Sequence, residues 1–211
     1  MIYIYASFYE CQGTEHKPDL EHRLGRKLLF SLVRDVYGWK MSEDQMRDKI
    51  IKGPHGKPLF NCAGPCFSIS HCPGLVLCAA ADNPLGTDAE KIRPFRDSIL
   101  KRTLTEAERA VFEEKRQAAG QSAADRELFF RFWTLKESGI KHSGLGLGEP
   151  LTAYEFNLGR GALYDSIFRK IDSKRPELCF YQTKLRPDYI ISLCCEENPQ
   201  AVCLTMKTFP E

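Results

Sequence analysis

FSISHCPGLVLCAAADNPLGTDAEK, residues 67–91, is the stretch whose reading decides the fold. Phe67 to His71, Leu75 to Ala81 and Leu85 to Glu90 are strand-length runs, and Asp82-Asn83-Pro84 supplies the turn between the last two. Working outward, residues 1–8 alternate as a first strand, and Leu20 to Tyr37 repeats as a helix. Leu24, Leu28, Leu32 and Val36 lie on one stripe of that helix, and Gly38 stops it. A short polar helix is expected over Glu43 to Ile51, then a turn-rich loop from Gly53 to Pro58. Downstream, Thr105-Glu106-Ala107-Glu108 fits a capping box for a helix running to about Gln117 and ending near Gly120. Ser122 to Asp125 opens a longer helix carrying Leu128, Phe132 and Leu135, which ends before Gly144. Strands are expected at Tyr154 to Leu158, Leu178 to Thr183, Tyr189 to Cys195 and Ala201 to Met206. The pattern is α+β: two helix-plus-strands units, residues 1–98 and 99–211.

Composition narrows the function. With 211 residues, 43% hydrophobic and 27% charged, the chain can bury a substantial core. A net charge of +2 gives no overall basic field for nucleic acid. The longest apolar run, Gly74 to Ala81, is too short to span a bilayer, so no membrane partner is expected. Met1 to Tyr5 lacks the regions of a signal peptide, and a cytoplasmic location is the expectation. Nine cysteines without an export signal read as reduced core thiols. A zinc site from Cys62, Cys66, His71 and Cys72 is the sharper alternative, but its spacing matches no standard zinc motif. On a strand, Cys194 and Cys195 face opposite ways.

The chemistry lies in two segments. On a strand, Asp88 and Glu90 share a face, with side chains starting about 6.6 Å apart. Two carboxylates some 5 Å apart repel by roughly 3 kcal/mol at an effective dielectric near 20, which a cation would relieve. Oxygen-only ligands suit magnesium, which adds substrate phosphates to one or two protein carboxylates. Gly86 lets the strand backbone approach a neighbour closely. The plainer alternative is a pair of solvated carboxylates closing a hairpin. In the second segment Trp133, Glu137 and Lys141 share one helix face, and Lys136 sits about 100° around it. Glu137 can complete the metal site, with Lys141 facing phosphate oxygens and Lys136 reaching the same anion from the side. As a plain surface pair, Glu137 and Lys141 contribute only about 0.3–0.5 kcal/mol. His71 at a strand end, beside the small Ser70, can bind a phosphate or simply hold a turn.

In this order the segments resemble the 4′-phosphopantetheinyl transferases, specifically the larger, pseudo-dimeric class that activates peptide and polyketide synthases. The resemblance is carried by Gly56-Lys57-Pro58, by Phe67-Ser68-Ile69-Ser70-His71-Cys72 and by Gly86-Thr87-Asp88-Ala89-Glu90. Phe132-Trp133-Thr134-Leu135-Lys136-Glu137-Ser138 with Lys141, and His22-Arg23 at the head of the first long helix, complete it. Ser68, Cys72, Thr87 and Ala89 depart from the usual residues without removing a carboxylate, the histidine or a lysine.

The resemblance implies a fold of two similar helix-plus-antiparallel-sheet halves related by a pseudo-twofold. It implies magnesium-dependent transfer of the 4′-phosphopantetheine arm of coenzyme A to a serine of an apo carrier protein (acyl, peptidyl or aryl), releasing adenosine 3′,5′-bisphosphate. Asp88, Glu90 and Glu137 would hold magnesium, or manganese in its place. Glu137, directly or through a metal-bound water, would take the serine proton. Lys141 would stabilise the departing phosphate and His71 a pyrophosphate oxygen. Arg23, Lys57 and Ser70 would grip the nucleotide, and Asp88, Lys136 and Lys141 also belong to the coenzyme A set. Lys115 and Arg116 are candidates for meeting the carrier protein, and two covalently joined halves would let a monomer suffice. A metal-dependent phosphodiesterase or nuclease is the rival enzyme. A non-catalytic module binding coenzyme A or a carrier protein is the rival binder.

Overall fold

Residues 67–91 form three strands in the computed structural model, but the third belongs to a different sheet from the first two. The structure describes residues 1–10, 17–116, 122–158, 163 and 165–209. In chain order the elements are β1 (Ile2–Phe8), α1 (Lys17–Tyr37), α2 (Glu43–Arg47), β2 (Ile50–Lys52), β3 (Pro58–Phe60), β4 (Cys66–Cys72), β5 (Leu75–Ala81) and β6 (Leu85–Lys91). They continue with α3 (Leu100–Thr103), α4 (Glu106–Lys115), α5 (Ala123–Ser143), β7 (Phe156–Asn157), β8 (Arg169–Ser173), β9 (Cys179–Leu185), β10 (Tyr189–Cys195) and β11 (Val202–Met206).

The first sheet runs β11-β1-β5-β4 and the second β6-β10-β9-β8-β7, each mostly antiparallel. Alternate residues explain the layers. Ile4 and Leu77 of the first sheet and Ala89, Ile191 and Leu193 of the second meet in a core between the sheets. The other face of the first sheet, with Val76 and Cys78, packs on Leu24, Leu28 and Leu32 of α1. The other face of the second, with Ile190 and Cys194, packs on Phe132 and Leu135 of α5. Strands β5 and β10 are covered on both faces, which is why they read as unbroken apolar runs. Cys194 and Cys195 do point into different cores. The eight cysteines among the described residues are free thiols. Among those residues no helix is long and apolar enough to cross a membrane.

Two pairings join early and late strands of the chain. Strand β11 pairs parallel with β1, while β6 pairs antiparallel with β10. Asp82-Asn83-Pro84 therefore carries the chain from one sheet to the other instead of closing a hairpin. The open edge of β6 is satisfied by hydroxyls: Thr87 N–H donates to Ser68 Oγ and Ala89 N–H to Ser70 Oγ, both at 3.1 Å. Serine side chains thus do at the seam what a neighbouring backbone does in a sheet.

Capping boxes start α4 at Thr105 and Glu108 and α5 at Ser122 and Asp125. Left-handed Gly38 and Gly144 follow the ends of α1 and α5. The helix expected over Glu43 to Ile51 is shorter: α2 stops at Arg47, and Ile50 and Ile51 pair with Phe60 and Leu59 in a small β-ribbon. Pro58, expected in the preceding loop, starts β3. The strand over Tyr154 to Leu158 contracts to Phe156–Asn157. Helix α3 and strand β8 had no sequence signal, one being a single turn and the other largely exposed. The expected end of α4 at Gln117 to Gly120 lies outside the described residues.

Candidate functional site

Gly86 brings the two segments together. A Cβ there would lie 2.1 Å from the Ser138 carbonyl oxygen and 2.2 Å from the His142 nitrogen, so α5 lies directly on the β6 backbone. That contact sets Lys141 over Asp88: its Nζ is 2.7 Å from Asp88 Oδ1 and 2.8 Å from Ser70 Oγ. Ser70 in turn donates to Asp88 Oδ1 at 2.9 Å. Asp88 is only 6% exposed. Lys141, whose plainer alternative was a surface pair with Glu137, makes its ion pair with this strand carboxylate.

The electrostatics are those of crowded acids. Burial pushes the Glu137 carboxyl up to about 7; Asp88 and Glu90 add to the rise, and Lys141 opposes it. Glu90 is also raised by burial and by Asp88, against the guanidinium of Arg93, which donates to it. Asp88 Oδ1 is saturated, whereas Oδ2 is buried without a hydrogen-bond partner. An orphaned carboxylate oxygen flanked by two further carboxylates is a donor set that fits a hard divalent cation. The three side chains influence one another but do not form a preassembled cage; among the described residues no group of three or more His, Cys, Asp or Glu has that arrangement. This also leaves the Cys62, Cys66, His71 and Cys72 set without a zinc site.

His71 is half-exposed at the end of β4, its Nδ1 3.1 Å from Glu21 Oε2 of α1. Arg23 is exposed on the same turn of α1. Lys57 sends its ammonium to two backbone carbonyls, Leu85 at 3.1 Å and His142 at 2.9 Å, and desolvation lowers its pKa. Lys57 thus ties the start of β6 to the end of α5, and its stem lines a cleft of about 760 Å³ that also takes in Ile69, Trp133, Glu137 and Lys141. Arg23 and His71 do not line that cleft.

The structure does not bring Lys136 to the anion. Its side chain is 0% exposed and points away from β6, with Nζ 2.6 Å from Glu108 Oε2 and also bonded to the Tyr154 carbonyl. A rotation of 100° on a helix whose opposite face is also buried carries a side chain into the core, not to the rim of a site. Lys115 and Arg116 are likewise engaged at home, Lys115 with the Leu158 carbonyl and Arg116 with Asp97.

Sequence reasoning missed Glu21, Tyr9 and Arg93. Glu21 carried a signal: with Gly25, Leu28 and Leu32 it follows the i, i+4, i+7, i+11 stripe, an acid on an apolar face. Tyr9 and Arg93 had none, because their partners are distant or across a turn.

A family model described as the 4′-phosphopantetheinyl transferase superfamily matches residues 84–194, from the start of β6 to β10. The chain is similar to 4′-phosphopantetheinyl transferase Sfp of Bacillus subtilis (strain 168), 28% identical over 204 residues, covering 96% of this chain and 86% of the relative. It is also similar to 4′-phosphopantetheinyl transferase gsp of Aneurinibacillus migulanus, 29% identical over 175 residues, covering 77% and 70%. A third relative is 4′-phosphopantetheinyl transferase HetI of Nostoc sp., 29% identical over 140 residues, covering 61% and 55%.

Proposed function

The chain belongs to the 4′-phosphopantetheinyl transferase superfamily, and from that premise we propose that it moves the phosphopantetheine arm of coenzyme A onto a serine of an apo carrier protein. The serine oxygen bonds to the phosphorus that carries the pantetheine arm, and the bond from that phosphorus to the bridging oxygen breaks. Adenosine 3′,5′-bisphosphate leaves. The nucleophile belongs to the partner, so the enzyme's task is positioning and charge stabilisation.

Glu137, a carboxylate beside the site where the phosphate meets the partner, takes the serine proton as general base. Lys141, held by Asp88 and Ser70, presents positive charge to the departing phosphate. His71 binds a pyrophosphate oxygen, and Arg23 and the Lys57 stem bound the nucleotide. Asp88, Glu90 and Glu137 would hold magnesium, which supplies charge neutralisation for the pyrophosphate when bound.

The observation that carries this reading is Asp88: one oxygen locked by Ser70 and Lys141, the other buried and open beside two raised carboxylates. The test is mass spectrometry of an apo carrier protein incubated with the protein, coenzyme A and magnesium. A gain of one phosphopantetheine is expected. Hydrolysis of nucleotide esters with no mass gain would favour the phosphodiesterase. Coenzyme A binding with neither reaction would favour the non-catalytic module.

A further inference from the structure

Glu21 is a carboxylate in the wrong place for an ordinary helix. It is 5% exposed, on the stripe α1 turns to the first sheet, and a buried charge there is costly unless paired. Its partners come from three directions. The Tyr9 hydroxyl donates to Oε1, His71 Nδ1 stands 3.1 Å from Oε2, and Lys17 lies 3.7 Å from Oε1. Tyr9 also lies 3.4 Å from the carbonyl of Cys72, the residue after His71. Burial and the bond to Glu21 raise the Tyr9 pKa, which keeps its hydroxyl a donor.

An ionised carboxylate accepts only, so a neutral His71 facing it must carry its hydrogen on Nδ1. Its Nε2, across the ring, then faces away from Glu21. The same logic orients histidines whose free nitrogen meets a metal or substrate. We infer that Glu21, backed by Tyr9, is a positioning residue that fixes the tautomer and direction of His71, so that Nε2, protonated when the ligand binds, is the atom that donates to a phosphate oxygen of coenzyme A. This rests on the transferase reading for what Nε2 meets, though not for the tautomer itself. The charged and titratable groups facing His71 are Glu21 and His22 of α1, Lys141 of α5 and Asp88 of β6. Burial and Lys141 disfavour the imidazolium, while Glu21 favours it. A phosphate oxygen only accepts, so the bound ring must carry hydrogen on both nitrogens, with Glu21 balancing the charge at Nδ1.

The experiment has two arms. Nitrogen NMR of the full chain labelled at histidine reads the His71 tautomer without turnover. The wild type is expected to show Nδ1–H, Glu21→Ala to shift toward Nε2–H, and Glu21→Gln, which keeps an acceptor, to retain Nδ1–H. Calorimetry with coenzyme A alone then measures the consequence. Glu21→Ala is expected to weaken binding about tenfold, and to weaken it less than about twofold in a His71→Ala background, where there is no ring left to orient. If Glu21→Ala melts early, Glu21→Met fills the space and takes its place. An unchanged tautomer, or an equal loss of affinity with and without His71, overturns the inference. Failure of carrier-protein transfer with the tautomer shift intact overturns the transferase reading alone.

Discussion

Gly86→Ala tests the contact on which the site depends. The added methyl would sit 2.1 Å from the Ser138 oxygen and 2.2 Å from the His142 nitrogen, both backbone atoms of α5 that have no rotamer to escape into. To reach even a tight van der Waals separation, β6 and α5 must part by about 1 Å. Forcing one extra carbon into a packed contact costs about 1–3 kcal/mol, which for a chain of this size lowers Tm by about 2–12 °C. The functional cost is expected to be larger. A 1 Å misplacement of reacting groups can cost about 100-fold in rate, and here it separates Lys141 and Glu137 from Asp88 together. Carrier-protein modification at saturating coenzyme A, alongside thermal melting, gives both numbers. A variant that is folded, equally stable and within about threefold of wild-type rate would refute the close approach and, with it, the account of how the site is assembled.

Other perturbations read the site's charges. In magnesium-free protein, Glu137→Gln should match wild-type Tm near pH 4.5 and exceed it near pH 8. The folded-state pKa of about 7 lies above the ordinary 4.5, so wild type loses stability as pH rises through that window and the neutral amide does not. An equal Tm difference at both pH values would refute the raised pKa. Lys141→Ala should cut transfer by about 100- to 1,000-fold while the protein still melts cooperatively; a rate within tenfold of wild type would remove Lys141 from charge stabilisation. Chelation of divalent ions should abolish transfer, with recovery on adding magnesium, and activity persisting in excess chelator would sink the carboxylate assignment. Lys136→Met leaves the buried Glu108 carboxylate unpaired and should cost about 3–5 kcal/mol, read by chemical denaturation. Lost coenzyme A affinity at normal stability would return Lys136 to the anion.

Much of the fold was legible because burial imposes a period. The helices over 17–37 and 123–143 carry clear caps or stops, and strands β1, β4, β5, β6 and β10 have apolar or alternating runs. What escaped was either short or paired at long range. Nothing in Ile50 and Ile51 announces a partner in Leu59 and Phe60 rather than another helical turn. The seam between the sheets was invisible for another reason: Ser68 and Ser70 are common residues, and their hydroxyls accept β6 N–H groups only because the fold leaves that edge open. The acids of the site were legible as types and spacings, whereas Glu21 was passed over because one acid in a helix looks solvated until its stripe is drawn.

Glu137 and Lys141 of α5 are aimed by other residues of the fold. Gly86 sets how near the helix comes to β6. Lys57 sets its position along the axis by bonding the His142 carbonyl near the end of α5 and the Leu85 carbonyl at the start of β6 at once. Lys136 sets its rotation. A buried ion pair adds little net stability over apolar packing, but an ammonium separated from Glu108 inside that core is very costly. Turning α5 by even part of a residue step would strain that pair, and the permitted rotation is the one that directs Glu137 and Lys141 toward Asp88. Two lysines five residues apart on one helix therefore do opposite work: the first is spent inside the protein, whereas the second reaches Asp88 and Ser70.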